Sequence, residues 1–307
     1  MKKLIKKRIY SDLAIPPGEY LSEVIAVKGI SQAELARRLG RPAQAVNEII
    51  KGEKAITPAT ALQLERALDV PAHIWIGLES RYQLIKARLE EKNKIRKESG
   101  YLKEIPYQQL AGLKYVDKTR DDEHKIRELH RFYGVSSLAN LSGIKTYEAS
   151  FRHGEAREVS SYALAAWMRC AELQARETPA GGFDRRKLKK TLKDIRALSA
   201  KDPAEAVTEV KGLLAGCGVV LVLLPIFPKT GALGATFWIK PEKAVLVLSA
   251  RGRSPDDFWH RLFHQIGHLL LHGKGIFIDA RKTSPELARK EKEADDFARD
   301  LLAVTRL

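Results

Sequence analysis

The sequence predicts a mainly α-helical protein, with an N-terminal bundle of short helices, a helical middle region and a C-terminal α+β domain built on a small sheet. Three observations carry this reading. From Pro17 onward, apolar residues recur at helical spacing between capping residues and glycines. Residues 101–212 keep that periodicity, through Leu129, Phe132 and Tyr133 and later Tyr162, Ala165, Trp167 and Met168. After Gly216 the pattern switches to β-branched apolar runs of strand length, followed by one long helix-patterned segment rich in histidine.

Taken in order, Tyr20, Leu21, Val24 and Ile25 form the first amphipathic helix, which Gly29 ends. Ser31-Gln-Ala-Glu34 is a capping box opening a helix from Gln32 to Leu39, and Gly40 closes it. Pro42 starts the next helix and Gly52 stands just past its end. Two short helices across a glycine turn, with Ala36 and Val46 as interior contacts, make a helix-turn-helix; the competing reading is a helical hairpin with an ordinary polar face. In a helix-turn-helix the second helix enters the major groove. Gln44 and Asn47 fall on its exposed face, and both amides can pair with adenine. Gln32, Arg41, Lys51 and Lys54 suit phosphate, which sets register rather than sequence preference. Thr57 and Pro58 open a fourth helix with Leu62, Leu64 and Leu68 facing inward, and Asp69-Val-Pro71 starts a fifth through Trp75, Tyr82 and Leu89.

Pro17-Gly-Glu-Tyr-Leu, Ser31-Gln-Ala-Glu-Leu-Ala, Asn47-Glu-Ile-Ile-Lys-Gly and Trp75-Ile-Gly-Leu-Glu together resemble the helix-turn-helix domain of HigA-type antitoxins, in the wider xenobiotic-response-element group. The resemblance implies binding to palindromic double-stranded operators as a homodimer. It places a DNA-binding domain at residues 1–92. Lys92 to Gly100 reads as a linker or a frayed helix end, and residues 101–212 as a helical spacer or interaction region.

Composition agrees with an anionic partner. The net charge is +16 over 307 residues, divided as +7 for residues 1–100, +5 for 101–212 and +4 for 213–307. Met1 to Arg8 holds five basic residues, read as a solvated terminus in preference to a minor-groove arm. Arg185 to Lys193 holds six in nine, with Leu188, Leu192 and Ile195 at helical spacing. A solvated face is the first reading there and a second DNA backbone contact the alternative. No apolar run approaches the roughly 18 residues of a membrane span, so no membrane partner is expected. Cys170 and Cys217 lack C-x-x-C spacing and read as reduced thiols of a cytoplasmic protein.

The C-terminal domain, residues 213–307, carries the chemistry. Gly218 to Pro225, Ala235 to Ile239 and Ala244 to Ser249 read as strands, the last two forming a hairpin across Pro241-Glu-Lys. His260, His264, His268 and His272 then follow at intervals of four, which stacks them on one helix face. His264 and His268 occupy the histidine positions of H-E-x-x-H, a zinc-binding pair whose intervening Glu serves as general base. Position 265 is Gln, which can hydrogen-bond but cannot accept a proton. A later amphipathic helix, with Ala294, Phe297, Ala298, Leu301 and Leu302 on its apolar side, offers the third ligand. Glu293 adjoins that stripe and is expected to face inward, with Asp296 as an orienting partner for a ligating imidazole. Glu291 tilts towards the charged face, and His260 and His272 read as structural or surface residues in preference to ligands.

His264-Gln-Ile-Gly-His268-Leu-Leu-Leu-His272-Gly, preceded by Gly234-Ala-Thr-Phe-Trp-Ile and followed by Glu293-Ala-Asp-Asp-Phe-Ala, resembles the ImmA/IrrE family of zinc metalloendopeptidases, with Gln265 where that family has Glu. The resemblance implies a zincin-like fold, zinc held by His264, His268 and Glu293, a catalytic base at position 265, and a repressor- or antitoxin-type protein substrate. Two accounts of Gln265 stand open: an exchange that keeps the side chain's size while removing the base, or a domain that binds metal or peptide without hydrolysis. Enzymatic activity therefore hinges on position 265. The alternative function is an antitoxin-like autorepressor that binds DNA and a toxin with no proteolysis.

Overall fold

A computed structural model of the chain describes residues 13–153, 159–249, 254–279 and 285–303, so the basic stretch Met1–Arg8 lies outside the described residues. The chain forms two compact units, Met1–Arg96 and Lys97–Leu307. Two units stand where three regions were expected, because the middle helices pack into the same core as the strands.

The first unit is a run of helices: α1 Pro17–Val27, α2 Gln32–Leu39, α3 Ala43–Ile50, α4 Pro58–Leu68 and α5 Ala72–Lys97. The predicted caps form. Ser31 accepts from the Glu34 N–H at 3.1 Å and Gly40 closes α2 in the left-handed region, while Thr57 accepts from the Thr60 N–H at 3.3 Å. Half of the capping box is absent: Glu34 turns to Arg37 and Arg38 instead of its cap. Leu21, Leu35, Val46, Ile49, Leu64, Leu68 and Trp75 close the core. Leu62, expected inward, is 47% exposed, because the buried row of α4 runs Ala61, Leu64, Leu68 and position 62 is a quarter-turn off it. Helix α5 runs on to Lys97, so the charged segment from Lys92 is a helix end and not a linker, as its Lys, Arg and Glu content favours.

In the second unit, α6 Tyr107–Gly112, α7 Asp122–Tyr133, α8 Lys145–His153, α9 Ser161–Glu177, α10 Arg185–Leu198 and α11 Pro203–Ala215 precede the strands. Helix α9 is buried along most of its length, from Ala163 to Ala175, and packs against the sheet. That is the reason the middle region is not a free spacer. Its interior Glu172 is held by Arg169, Arg176 and the Tyr147 hydroxyl at 2.6–2.9 Å.

The sheet consists of β1 Val219–Leu224, β2 Gly234–Lys240, β3 Lys243–Ser249 and β4 Phe277–Asp279, ordered β1-β3-β2-β4. β1 runs parallel to β3, and β2 pairs antiparallel with both β3 and β4. β2 and β3 are the predicted hairpin. The three-residue β4 was not predicted. Helix α12, Pro255–Leu271, capped by Ser254, lies on the sheet, and α13, Pro285–Ala303, packs along α12. Leu262, Phe263, Ile266, Leu269 and Leu270 of α12 are all buried.

Candidate functional site

Helix α12 meets the sheet through one face and α13 through another, so its histidine row lies between them. His264 and His268 are 4% and 0% exposed. Gly267 permits the close approach of α13: a Cβ there would come within 3.1 Å of the Phe297 ring and 3.3 Å of the Ala294 Cα. The carboxylate delivered by that approach is Glu291. Its Oε2 lies 3.1 Å from His264 Nε2 and 3.5 Å from His268 Nε2, and the two imidazole nitrogens are 3.0 Å apart.

Glu293 is not part of this group. It is half exposed and pairs with His272 Nε2 at 2.9 Å. The buried positions of α13 are Ala294 and Ala298, which puts position 291 on the inward face, while position 293 is rotated roughly 100° from 294. Asp296, the expected orienting partner, pairs with Arg299 at 2.7 Å, and its neighbour Asp295 takes that role, 2.7 Å from His264 Nδ1. His272, read as structural, stands 3.0 Å from His268 Nδ1.

These contacts fix the lone pairs. An N–H at His264 Nδ1 donates to Asp295. His272 donates through Nε2 to Glu293, which leaves its Nδ1 to accept from His268 Nδ1–H. Both Nε2 atoms then present lone pairs to each other and to the Glu291 carboxylate. Three acceptors converging at 3.0–3.5 Å repel one another unless a cation lies among them. Donors on a four-coordinate ion with bonds of about 2.0–2.1 Å sit about 3.4 Å apart, so the donor set fits a zinc-sized ion.

The electrostatics agree. Without an ion, protons do the work of the cation: burial opposes ionisation of Glu291, but hydrogen bonds from His264 and His268 carrying protons at Nε2 outweigh it and hold its pKa at about 2. Burial lowers the pKa of His268; it works against His264 also, where Glu291 and the nearby carboxylates Asp279 and Asp295 win and raise it. Asp279 had no sequence signal. It lies on β4 two residues after Phe277, whose ring stacks on His268 at 4.5 Å, so it shares the strand face turned to the site, and burial raises its pKa.

Gln265 is fully buried, and its amide oxygen and nitrogen have no hydrogen-bond partner among the described residues. It fits because position 234 on β2 is Gly; a Cβ there would come within 2.9 Å of Gln265 Nε2. A buried amide left bare costs about 1–3 kcal/mol, which a ligand reaching it would offset.

A second group, Asp117, His124 and Glu128, also brings metal-binding atoms together. It does not suit an ion, since Glu128 already accepts from the Asp117 N–H at 3.0 Å and pairs with Arg131 at 2.5 Å.

In the first unit, Gln44 is exposed on α3 and Asn47 half-buried beside it, with Gln32 exposed at the start of α2 and Lys51 exposed beyond α3. Gln44 donates to Glu48 at 3.0 Å, and Lys54 pairs with the same carboxylate at 3.6 Å. Glu48, missed in sequence, therefore tethers two of the expected contacts. Arg41 is turned away, donating to Gln63 of α4 at 2.8 Å.

A family model described as a helix-turn-helix matches residues 28–75, and one described as an IrrE N-terminal-like domain matches residues 218–303. The chain is 33% identical over 81 residues to virulence-associated protein I of Dichelobacter nodosus, a match spanning 26% of this chain and 75% of that protein. The chain is a helix-turn-helix protein carrying an IrrE N-terminal-like, peptidase-family domain. Among solved structures it is similar to the Pseudomonas aeruginosa antitoxin HigA with the higBA promoter, at 36% identity over 28% of this chain and 95% of that one, with a TM-score of 0.26. It is also similar to a HigA-family addiction module antidote protein of Coxiella burnetii, at 32% identity over 28% and 94% of the two chains and the same TM-score of 0.26. The match to the IrrE N-terminal-like domain runs from Gly218 on the way into β1 to Ala303 at the end of α13, and so encloses the whole histidine–carboxylate group.

Proposed function

We propose that the chain is a DNA-binding regulator whose IrrE N-terminal-like domain holds zinc through His264, His268 and Glu291. With Gln265 in the place of a carboxylate, it binds a repressor- or antitoxin-type protein more readily than it cleaves it. The observation that carries this is the convergence of two imidazole lone pairs and one buried carboxylate beside an unpartnered amide.

Zinc held there would supply a Lewis acid able to polarise a scissile carbonyl. The chain's own residues do the rest. Asp295 and the His272–Glu293 pair orient the two imidazoles. Gln265 can hydrogen-bond a water or a carbonyl but cannot take a proton, and loss of a general base lowers a rate by about 100- to 10,000-fold. β4 covers only Gly234 to Thr236 of β2, so the short outer strand and the rest of β2 offer backbone groups to an extended peptide.

On the DNA side, α3 would present Gln44 and Asn47 to base edges, with Gln32, Lys51 and Lys54 at phosphates. Arg41 would first have to release Gln63. The resemblance of the N-terminal sequence to HigA-type helix-turn-helix domains supports this reading and extends it, as a proposal, to a palindromic site bound by a homodimer in the cytoplasm. No helix among the described residues is long and apolar enough to cross a membrane.

The test is to assay the chain and Gln265→Glu against repressor and antitoxin proteins of the same genome. A gain of cleavage of about 100-fold or more in the Glu variant supports the reading. Equal inactivity of both, with zinc bound, contradicts a peptidase-type site. The second reading, an antitoxin-like autorepressor, draws on the similarity to HigA. Co-purification of a small toxin with the chain, released by no Gln265 variant, would favour it.

A further inference from the structure

Helix α10 spans Arg185–Leu198 and is held in the second unit by Leu188, Thr191, Ile195 and Leu198, all buried. Its other face carries Arg185, Arg186, Lys187, Lys189, Lys190 and Lys193, all exposed. With Arg196 the helix has seven basic residues against one acid, Asp194, a net of +6, more than the +5 of the whole 101–212 region around it. Among the described residues, Arg186, Lys187, Lys189, Lys190 and Lys193 form no ion pair.

The arrangement opposes the helix it sits on. Three of these cations occupy the first turn, where the helix dipole is already positive, and Arg186 with Lys189 and Lys190, and Lys189 with Lys193, are like charges at helical-neighbour spacing. Asp184 holds the N-terminus against this, accepting from the Arg186 and Lys187 N–H groups at 2.8 and 2.9 Å. The Arg185 guanidinium donates to the Leu270 carbonyl at the end of α12. The helix is anchored at its cap and along its buried row while its outer face remains unneutralised.

We infer that the outer face of α10 is a second DNA-binding surface that engages phosphates along a duplex backbone, separately from the helix-turn-helix. Its 14 residues are about 21 Å long, comparable to about six successive phosphates of one strand. A lipid surface fits less well, since Leu188, Ile195 and Leu198 of α10 are buried, Leu192 is partly buried, and its exposed face has no aromatic or large aliphatic anchor. Lysines and arginines without base-reading amides suit affinity rather than sequence preference.

The inference rests on the reading that the chain binds duplex DNA, and the experiment separates the two. Binding of the full chain to a mixed-sequence duplex is followed by fluorescence anisotropy across a salt series. The chain is compared with Lys189→Gln/Lys190→Gln/Lys193→Gln, with a control of equal charge change on exposed residues of the same unit, Lys103→Gln/Lys118→Gln/Arg120→Gln, and with the helix-turn-helix variant Lys51→Gln/Lys54→Gln. The expected result is that the α10 variant lowers the slope of log affinity against log salt by about 2 to 3 and weakens binding at low salt at least about tenfold, with the control unchanged. An unchanged slope in the α10 variant, while Lys51→Gln/Lys54→Gln weakens binding, overturns the inference and leaves the helix-turn-helix reading standing. Equal losses in the α10 variant and the control overturn it as a specific surface. Loss of binding to anionic vesicles or to RNA with duplex binding intact reassigns the face to another polyanion and overturns it too. No duplex binding by the parent chain sinks the DNA reading and this inference together.

Discussion

Glu291 and Glu293 stand two residues apart on one helix, roughly 200° of rotation, so they cannot both face α12. The structure turns Glu291 to the imidazoles and leaves Glu293 to steady His268 through His272. Asp295→Asn should weaken zinc binding by about 10- to 100-fold, measured by competition with a chromophoric chelator, because it releases the His264 ring. The acid behaviour of the metal-free chain should follow Glu291. Its carboxyl falls from an ordinary 4.5 to about 2 on folding, so the stability it contributes is present above 4.5 and is lost as pH falls towards 2. Denaturant titration of the chelator-treated chain should show this loss, and Glu291→Gln should lack it. His264 and His268 were legible in the sequence because a period of four is visible in one dimension. The choice among Glu291, Glu293, Asp295 and Asp296 was not, because every position of Glu-Lys-Glu-Ala-Asp-Asp adjoins the apolar stripe in sequence and only the phase of α13 against α12 separates them.

Among the elements, the contact between α12 and α13 sets that phase, and Gly267 sets how closely they approach. Gly267→Val should separate the helices, lower stability by about 1–3 kcal/mol in denaturant unfolding and weaken zinc binding together. A stability loss with zinc affinity unchanged would mean that Glu291 does not depend on this contact. Gly267 and Gly234 serve different purposes: one admits a neighbouring helix and the other leaves room for the Gln265 amide. The hairpin, the capped helices of the first unit and the long α12 could all be read from pattern, since each has its own start and stop residues. β4 could not. Three residues just after Gly273 and Gly275 are too few to show an alternation, and the strand exists because β2 has an edge to fill. The charged run from Lys92 reads as either a linker or a frayed helix end, and the second holds: α5 continues to Lys97 because Lys, Arg and Glu are good helix formers.

At the scale of the whole molecule, a helix-turn-helix unit and a histidine–carboxylate site are joined in one chain whose middle helices belong to the second unit's core. The buried α9 made that region part of the domain, which its apolar periodicity alone did not reveal. Gln44→Ala and Asn47→Ala should each cost about 1–3 kcal/mol of discrimination for a cognate site over a scrambled duplex, with little change in non-specific binding. Equal weakening on both duplexes would make α3 a backbone contact. The most direct test of the account is the zinc content of the chain, of Glu291→Ala and of Glu293→Ala, by elemental analysis after dialysis near neutral pH. The account predicts about one zinc per chain in the parent and in Glu293→Ala, and essentially none in Glu291→Ala. Zinc kept by Glu291→Ala and lost from Glu293→Ala, or absent from all three, would contradict it.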